Sequence, residues 1–138
     1  TVLEVGTGSG FMAALLSHKA RSVITLEKRA ALAKLATEHL KRAGVSNVTV
    51  REMDGAAGLP GEAPFDVIML SGSVADVPAA LLEQLKPGGR LLAVVGQEPM
   101  MRAVRITRQA DRSFKSEALF DTVAPRLDGF DEPGAFRF

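Results

Sequence analysis

The feature that most constrains this fold is the run Val2-Leu-Glu-Val-Gly-Thr-Gly-Ser-Gly10, where three alternate glycines follow a short apolar stretch. The apolar part reads as a buried strand. The segment after it, from Phe11 to about Lys19, carries Met12, Ala13, Ala14, Leu15 and Leu16 and reads as a helix. Alternate glycines let the backbone turn tightly and approach a ligand with no Cβ in the way. A strand, a glycine loop and a helix form one unit of an open α/β sheet, and such sheets bind nucleotides at the carboxyl ends of their strands. The spacing of Gly6, Gly8 and Gly10 is Gly-x-Gly-x-Gly, one residue shorter than a dinucleotide loop. An acidic residue, Glu4, stands two positions ahead of Gly6.

The rest of the chain repeats the alternation of strand and helix. Ser22-Val-Ile-Thr-Leu-Glu27 reads as a second strand ending in a carboxylate. At such a tip Glu27 can accept hydrogen bonds from both hydroxyls of a ribose, or it can be a surface acid at a helix start. Residues 30–43 form an amphipathic helix with Leu32, Leu35, Ala36 and Leu40 expected inside and Gly44 as its stop. A third strand over 47–53 runs into Asp54-Gly55, either an acceptor for an adenine amino group with room for the ring, or a plain Asp-Gly turn.

Phe65-Asp-Val-Ile-Met-Leu70 is nearly continuous apolar, as a strand covered on both faces should be, with Asp66 expected to satisfy backbone amides. Ser71-Gly72-Ser73 then reads as a loop that contacts a cofactor or its acceptor substrate, or as a loop alone. Pro78 opens a helix buried by Leu81, Leu82 and Leu85, and a Pro-Gly-Gly turn leads to a fifth strand over 90–96. Residues 102–108 and 114–123, joined by a short polar turn, read as an antiparallel hairpin. Residues 125–138 mix Pro, Gly, Asp and Phe without a period and read as an irregular tail after a domain over 1–124.

Composition excludes more than it assigns. The chain has 138 residues, enough for one domain with its own core, and no cysteine, so thiol nucleophiles and disulfides are out. A net charge of +1 gives no reason to expect nucleic acid, and no apolar run is long enough to span a membrane. His18 and His39 stand alone, without metal-ligand spacing. These features fit a cytoplasmic protein. The chain opens directly on its first strand at Thr1, which reads as the C-terminal part of a longer protein.

With these motifs in place the chain resembles the protein-L-isoaspartate O-methyltransferases, a family of class I S-adenosylmethionine-dependent enzymes. The resemblance rests on residues 2–10, Glu27, Asp54-Gly55 and 63–68, and most specifically on the run 77–91. It implies an α/β, Rossmann-like doubly wound sheet of about seven strands, mostly parallel with the C-terminal antiparallel hairpin. It also implies S-adenosylmethionine as methyl donor and L-isoaspartyl residues of damaged proteins as acceptors. On this resemblance Gly6, Thr7, Gly8, Ser9 and Gly10 hold the methionine part, Glu27 the ribose, and Asp54 with Gly55 the adenine, and Glu4 and Lys28 belong to the same cofactor site. Ser71 would touch both cofactor and acceptor, and Gly72 and Ser73 the acceptor. The family usually reads Thr-Ala-Ala where this chain has Ser71-Gly72-Ser73. A nicotinamide dehydrogenase would explain the loop and Glu27 but neither the spacing at Gly10 nor the terminal hairpin. A methyltransferase relative with another acceptor, or a non-catalytic cofactor-binding module, is the other reading.

Overall fold

The computed structural model describes residues 1–8 and 10–130, with only the backbone of Phe11. Five parallel strands come first: β1 (Val2–Val5), β2 (Val23–Glu27), β3 (Val48–Glu52), β4 (Phe65–Val74) and β5 (Leu85–Gln97). Two antiparallel strands follow, β6 (Met100–Arg108) and β7 (Phe114–Asp121). All seven lie in one sheet in the order β3-β2-β1-β4-β5-β6-β7. The mixed sheet and its terminal hairpin agree with the sequence reading.

The apolar strand at the start of the chain is buried at every position because it lies in the middle of the sheet, between β2 and β4. There the strand order reverses direction, and the loop leaving β1 opens into the crevice that such a reversal creates. Beneath it Leu3, Leu26, Phe65, Ile68, Leu81 and Leu91 form the centre of the core. Helix α1 (Phe11–Ser17) follows the loop, and α2 (Ala30–Arg42) links β2 to β3. The buried face of α2 is Ala33, Ala36 and Leu40. These small side chains bring the helix close to the glycine loop, where a Cβ on Gly10 would come 3.4 Å from the Ala36 backbone.

Several expectations need correction. Leu35 is 37% exposed, because the inner stripe runs through Ala33 and Ala36 and turns Leu35 outward. The helix after Pro78 is a single turn, α3 (Ala79–Leu82), and Leu85 belongs to β5, where it pairs with Phe65. Asp66, expected to satisfy backbone amides, is exposed; its carboxylate accepts from the main-chain nitrogen of Thr1 at 2.6 Å and pairs with Lys86 Nζ at 3.2 Å.

Most consequential is β4, which does not end at Leu70 but runs through Ser71, Gly72 and Ser73 to Val74. An irregularity in register between Met69 and Ser73 lets the strand resume pairing, Ser73 with Val94 and Val74 with Val95. On the other side Ser73 N–H donates to Pro125 O at 2.8 Å, and Leu127 N–H donates to Ser73 O at 2.9 Å. A three-residue stretch that looks like a loop is therefore strand, because the segment near 126 supplies it with a neighbour. Residues 131–138 of the expected tail lie outside the described residues. Among the described residues no helix is long and apolar enough to cross a membrane, and no group of acids and histidines is arranged to hold a metal.

Candidate functional site

The glycine loop takes the shape that its sequence requires. Gly6, Gly8 and Gly10 all have positive φ, at 88°, 55° and 89°. That left-handed region strains residues with a Cβ, so the alternate glycines are a backbone necessity. Gly6 N–H is tied to Leu26 O at 2.9 Å, and Gly10 N–H donates back to Thr7 O at 3.0 Å, closing the turn before α1. Ser9, expected in the same loop, lies outside the described residues.

A buried polar chain lies directly under this loop. Glu4 on β1 is fully buried. Its Oε1 accepts from Thr25 Oγ1 at 2.6 Å, and its Oε2 accepts from Ser71 Oγ. Thr25 also meets the hydroxyl of Thr7, the residue between the first two glycines. Burial pushes the Glu4 carboxyl above the ordinary glutamate range. The hydrogen bonds from Ser71 and Thr25 work against that rise, and the nearby charge of Glu27 adds to it.

Glu27, at the tip of β2, turns toward the loop. Its Oε1 accepts from Gly8 N–H and its Oε2 from Arg29 N–H, each at 3.0 Å. Each carboxylate oxygen keeps a second lone pair for a ligand hydroxyl. Asp54, after β3, accepts from Ala56 N–H at 3.0 Å, the local turn that an Asp-Gly pair forms. Its other oxygen lies 3.9 Å from Lys28 Nζ, with both side chains about half exposed, and such a pair contributes little. Gly55 is required for packing, since a Cβ there would fall 2.6 Å from Val5 Cγ1. A cleft of about 460 Å³ beside this turn is lined by Ala56, Ala57, Asp76, Val77, Pro78 and Phe130, among others.

The structure thus gathers Glu4, Gly6, Thr7, Gly8, Gly10, Glu27 and Ser71 around one loop, with Lys28, Asp54 and Gly55 at the next strand tip. Gly72 and Ser73 differ: Ser73 is fully buried, and Gly72 is covered by Leu127, whose Cδ2 would be 2.7 Å from an added Cβ. The same methyl group lies 2.5 Å from a Cβ position on Gly6. Asp128 pairs with Arg29, its Oδ2 accepting from Nε at 2.8 Å, and Gly129 packs on the Asp54 carboxylate. Sequence reasoning missed Thr25, which looks like an ordinary strand residue, and it missed the segment 125–129, whose irregular composition gives no sign of where it lies.

A parallel sheet with its glycine loop at the reversal of strand order, and acids at the tips of the next two strands, defines a Rossmann-like nucleotide-cofactor domain. Within that class, the family model for protein-L-isoaspartate(D-aspartate) O-methyltransferase (PCMT) matches residues 1–124, and the chain belongs to this family. A protein-L-isoaspartate O-methyltransferase of Koribacter versatilis is 46% identical over 80% of this chain and 50% of its own length. One of Rhizobium meliloti is 39% identical over 94% of this chain and 65% of its own length. Among solved structures, a protein-L-isoaspartate O-methyltransferase superposes with a TM-score of 0.83 at 28% identity, covering 93% of this chain and 42% of that one. A structure described as a putative protein-L-isoaspartate O-methyltransferase from Plasmodium falciparum, in complex with S-adenosyl-L-homocysteine, superposes with a TM-score of 0.72 at 22% identity, covering 91% of this chain and 64% of that one. The chain spans about half the length of the first curated relatives that it matches.

Proposed function

We propose that this chain carries the S-adenosylmethionine-binding part of a protein-L-isoaspartate O-methyltransferase, which methylates the carboxylate of L-isoaspartyl residues in damaged proteins. The observation that carries this reading is a glycine loop bordered by Glu4, Glu27 and Asp54, three carboxylates on adjacent strands or at their tips. A cofactor with a sulfonium, an ammonium and a ribose suits the charge and the free acceptors. The space also fits, since a Cβ at Gly8 would meet nothing within 4 Å, leaving the loop's outer side open.

In this reading Gly6, Thr7, Gly8, Ser9 and Gly10 hold the methionine part, and Glu4 supports it from below. Glu27, with Lys28 beside it, accepts from the ribose hydroxyls, and Asp54 with Gly55 receives the adenine. Ser71 faces both cofactor and acceptor, while Gly72 and Ser73, covered by the segment 125–127, would act on the acceptor side only through the shape they give β4. When bound, the cofactor supplies an electrophilic methyl group on a sulfonium. The acceptor carboxylate is already ionised near neutral pH, so no general base is required and no residue is assigned as one. The protein contributes alignment and exclusion of water, which together can be worth roughly 7–11 kcal/mol. Residues 1–124 would be the cofactor domain, followed by the segment 125–138. A cytoplasmic location fits the lack of cysteine.

Calorimetry tests the cofactor, and methyl transfer tests the acceptor. S-adenosylmethionine and S-adenosylhomocysteine should bind, and NAD should not. The full-length protein should transfer methyl groups to an isoaspartyl peptide and not to its aspartyl twin. Tighter binding of NAD would overturn the cofactor, and equal labelling of the two peptides would overturn the acceptor.

A further inference from the structure

Thr25 stands inside β2 with no exposed surface, in a place where a valine would pack as well by shape. Its hydroxyl is the joint between two parts of the site. On one side it lies 2.6 Å from Glu4 Oε1, and on the other it meets Thr7 Oγ1 in the glycine loop. Proton counting fixes the direction of this chain. An ionised carboxylate only accepts and a hydroxyl has one proton. Thr25 therefore gives its proton to Glu4, so the Thr7 hydroxyl must give its own to Thr25. Ser71, on the opposite neighbouring strand, donates to the other oxygen of Glu4. Without the Thr25 hydroxyl, a buried donor on the loop and a buried carboxylate oxygen lose their partner together.

We propose that Thr25 is a positioning residue for the cofactor, its hydroxyl locking Thr7, and with it the span from Gly6 to Gly8, onto the carboxylate of Glu4. The assignment rests on the reading of this loop as a cofactor site. It differs from the roles given to Glu4 and the glycines because Thr25 itself sits one layer below the ligand surface and acts through Thr7 and Glu4. The charged group acting on Glu4 is Glu27 on the same strand as Thr25, while β4 presents the Ser71 hydroxyl. Loss of the Thr25 donor therefore leaves Glu27 repulsion and burial less opposed, and moves the titration of Glu4 further upward.

The test compares the wild-type protein with Thr25→Val and Thr25→Ser. Three measurements are made: S-adenosylhomocysteine affinity by calorimetry across pH, the Glu4 carboxyl titration by carbon-13 NMR, and the circular dichroism spectrum. Thr25→Val should bind roughly tenfold more weakly at neutral pH, the loss of about one net hydrogen bond. Its Glu4 titration and the acid limb of its affinity profile should move upward together, and Thr25→Ser should restore both. A natively folded Thr25→Val protein with wild-type affinity would overturn the assignment while leaving the cofactor reading standing. So would a Thr25→Ser protein that restores the Glu4 titration but not the affinity. Wild-type protein that is folded yet binds no S-adenosylhomocysteine would overturn both. If Thr25→Val does not fold, Thr7→Val cuts the same link from the loop side, and unchanged affinity in that variant would sink the proposal.

Discussion

Around the glycine loop, β1 and β2 hide two carboxylates, Glu4 completely and Glu27 nearly so, whereas in the β6–β7 hairpin apolar side chains stand in water. Met100 is 78% exposed and Phe120 62%, with Phe114 and Leu119 also exposed. Burying a carboxylate is costly unless donors surround it. The parallel half meets that cost with Thr25, Ser71 and the amides of Gly8 and Arg29. Leaving a phenylalanine in water forgoes only the gain from covering it. At the edge strand β7, charges stand beside these apolar residues, including Glu117, whose carboxyl is held below its usual range, first by Arg105 and then by Lys115. Such charges discourage edge-to-edge pairing. The position of a polar group inside the parallel half is thus specified atom by atom, while the hairpin tolerates a looser choice.

The contrast can be broken most sharply with two phenylalanines. Phe65→Ala, in the fully buried centre, should cost about 3–5 kcal/mol in chemical denaturation, while Phe120→Ala should stay within about 0.5 kcal/mol. Similar losses at the two positions would mean that the hairpin is packed as tightly as the core. Next in size is Glu27→Ala, which removes the acceptor of Gly8 N–H together with the proposed ribose contacts. Affinity for S-adenosylhomocysteine should fall on the order of a hundredfold, and unchanged calorimetric affinity in a folded variant would deny this carboxylate a place in the site.

The smallest effect is the most diagnostic. The folded-state pKa of Glu4 lies above its ordinary value of 4.5, so its contribution to stability is fully present below that value. It is lost as pH rises through the folded value, because the buried group must then carry charge. Glu4→Gln should accordingly gain in melting temperature relative to wild type, by a few degrees, as pH is raised from acid to neutral, even as it binds cofactor less well. A gap that narrows over that range would show that Glu4 is more comfortable ionised than its surroundings imply.

How much of this was legible depended on whether the partners were close in sequence. The loop, the acidic tips of β2 and β3 and the terminal hairpin each announce themselves within a few residues, and each lies where the pattern placed it. Leu35 went astray because a helix with Leu and Ala at neighbouring positions offers two overlapping stripes, and only contact with the sheet chooses between them. Ser71-Gly72-Ser73 has turn composition, and its continuation as strand depends on Pro125 and Leu127. Thr25 was silent for the same reason: a threonine is at home in any strand, and its significance comes from Glu4 and Thr7 on the neighbouring strand and loop.

The placement of Leu127 over Gly6 and Gly72 has a consequence in time. A chain emerging from the ribosome completes β1 and its glycine loop before any other strand of this sheet, but the side chain that covers Gly6 arrives only after β7. Contacts between such distant positions close slowly, since the loop entropy must be met before they form. During synthesis the crevice therefore exists first as an uncovered surface. It gains its wall at Gly6 only when residues 125–127 return to lie beside β4, which makes assembly of the groove one of the last events in the folding of the sheet.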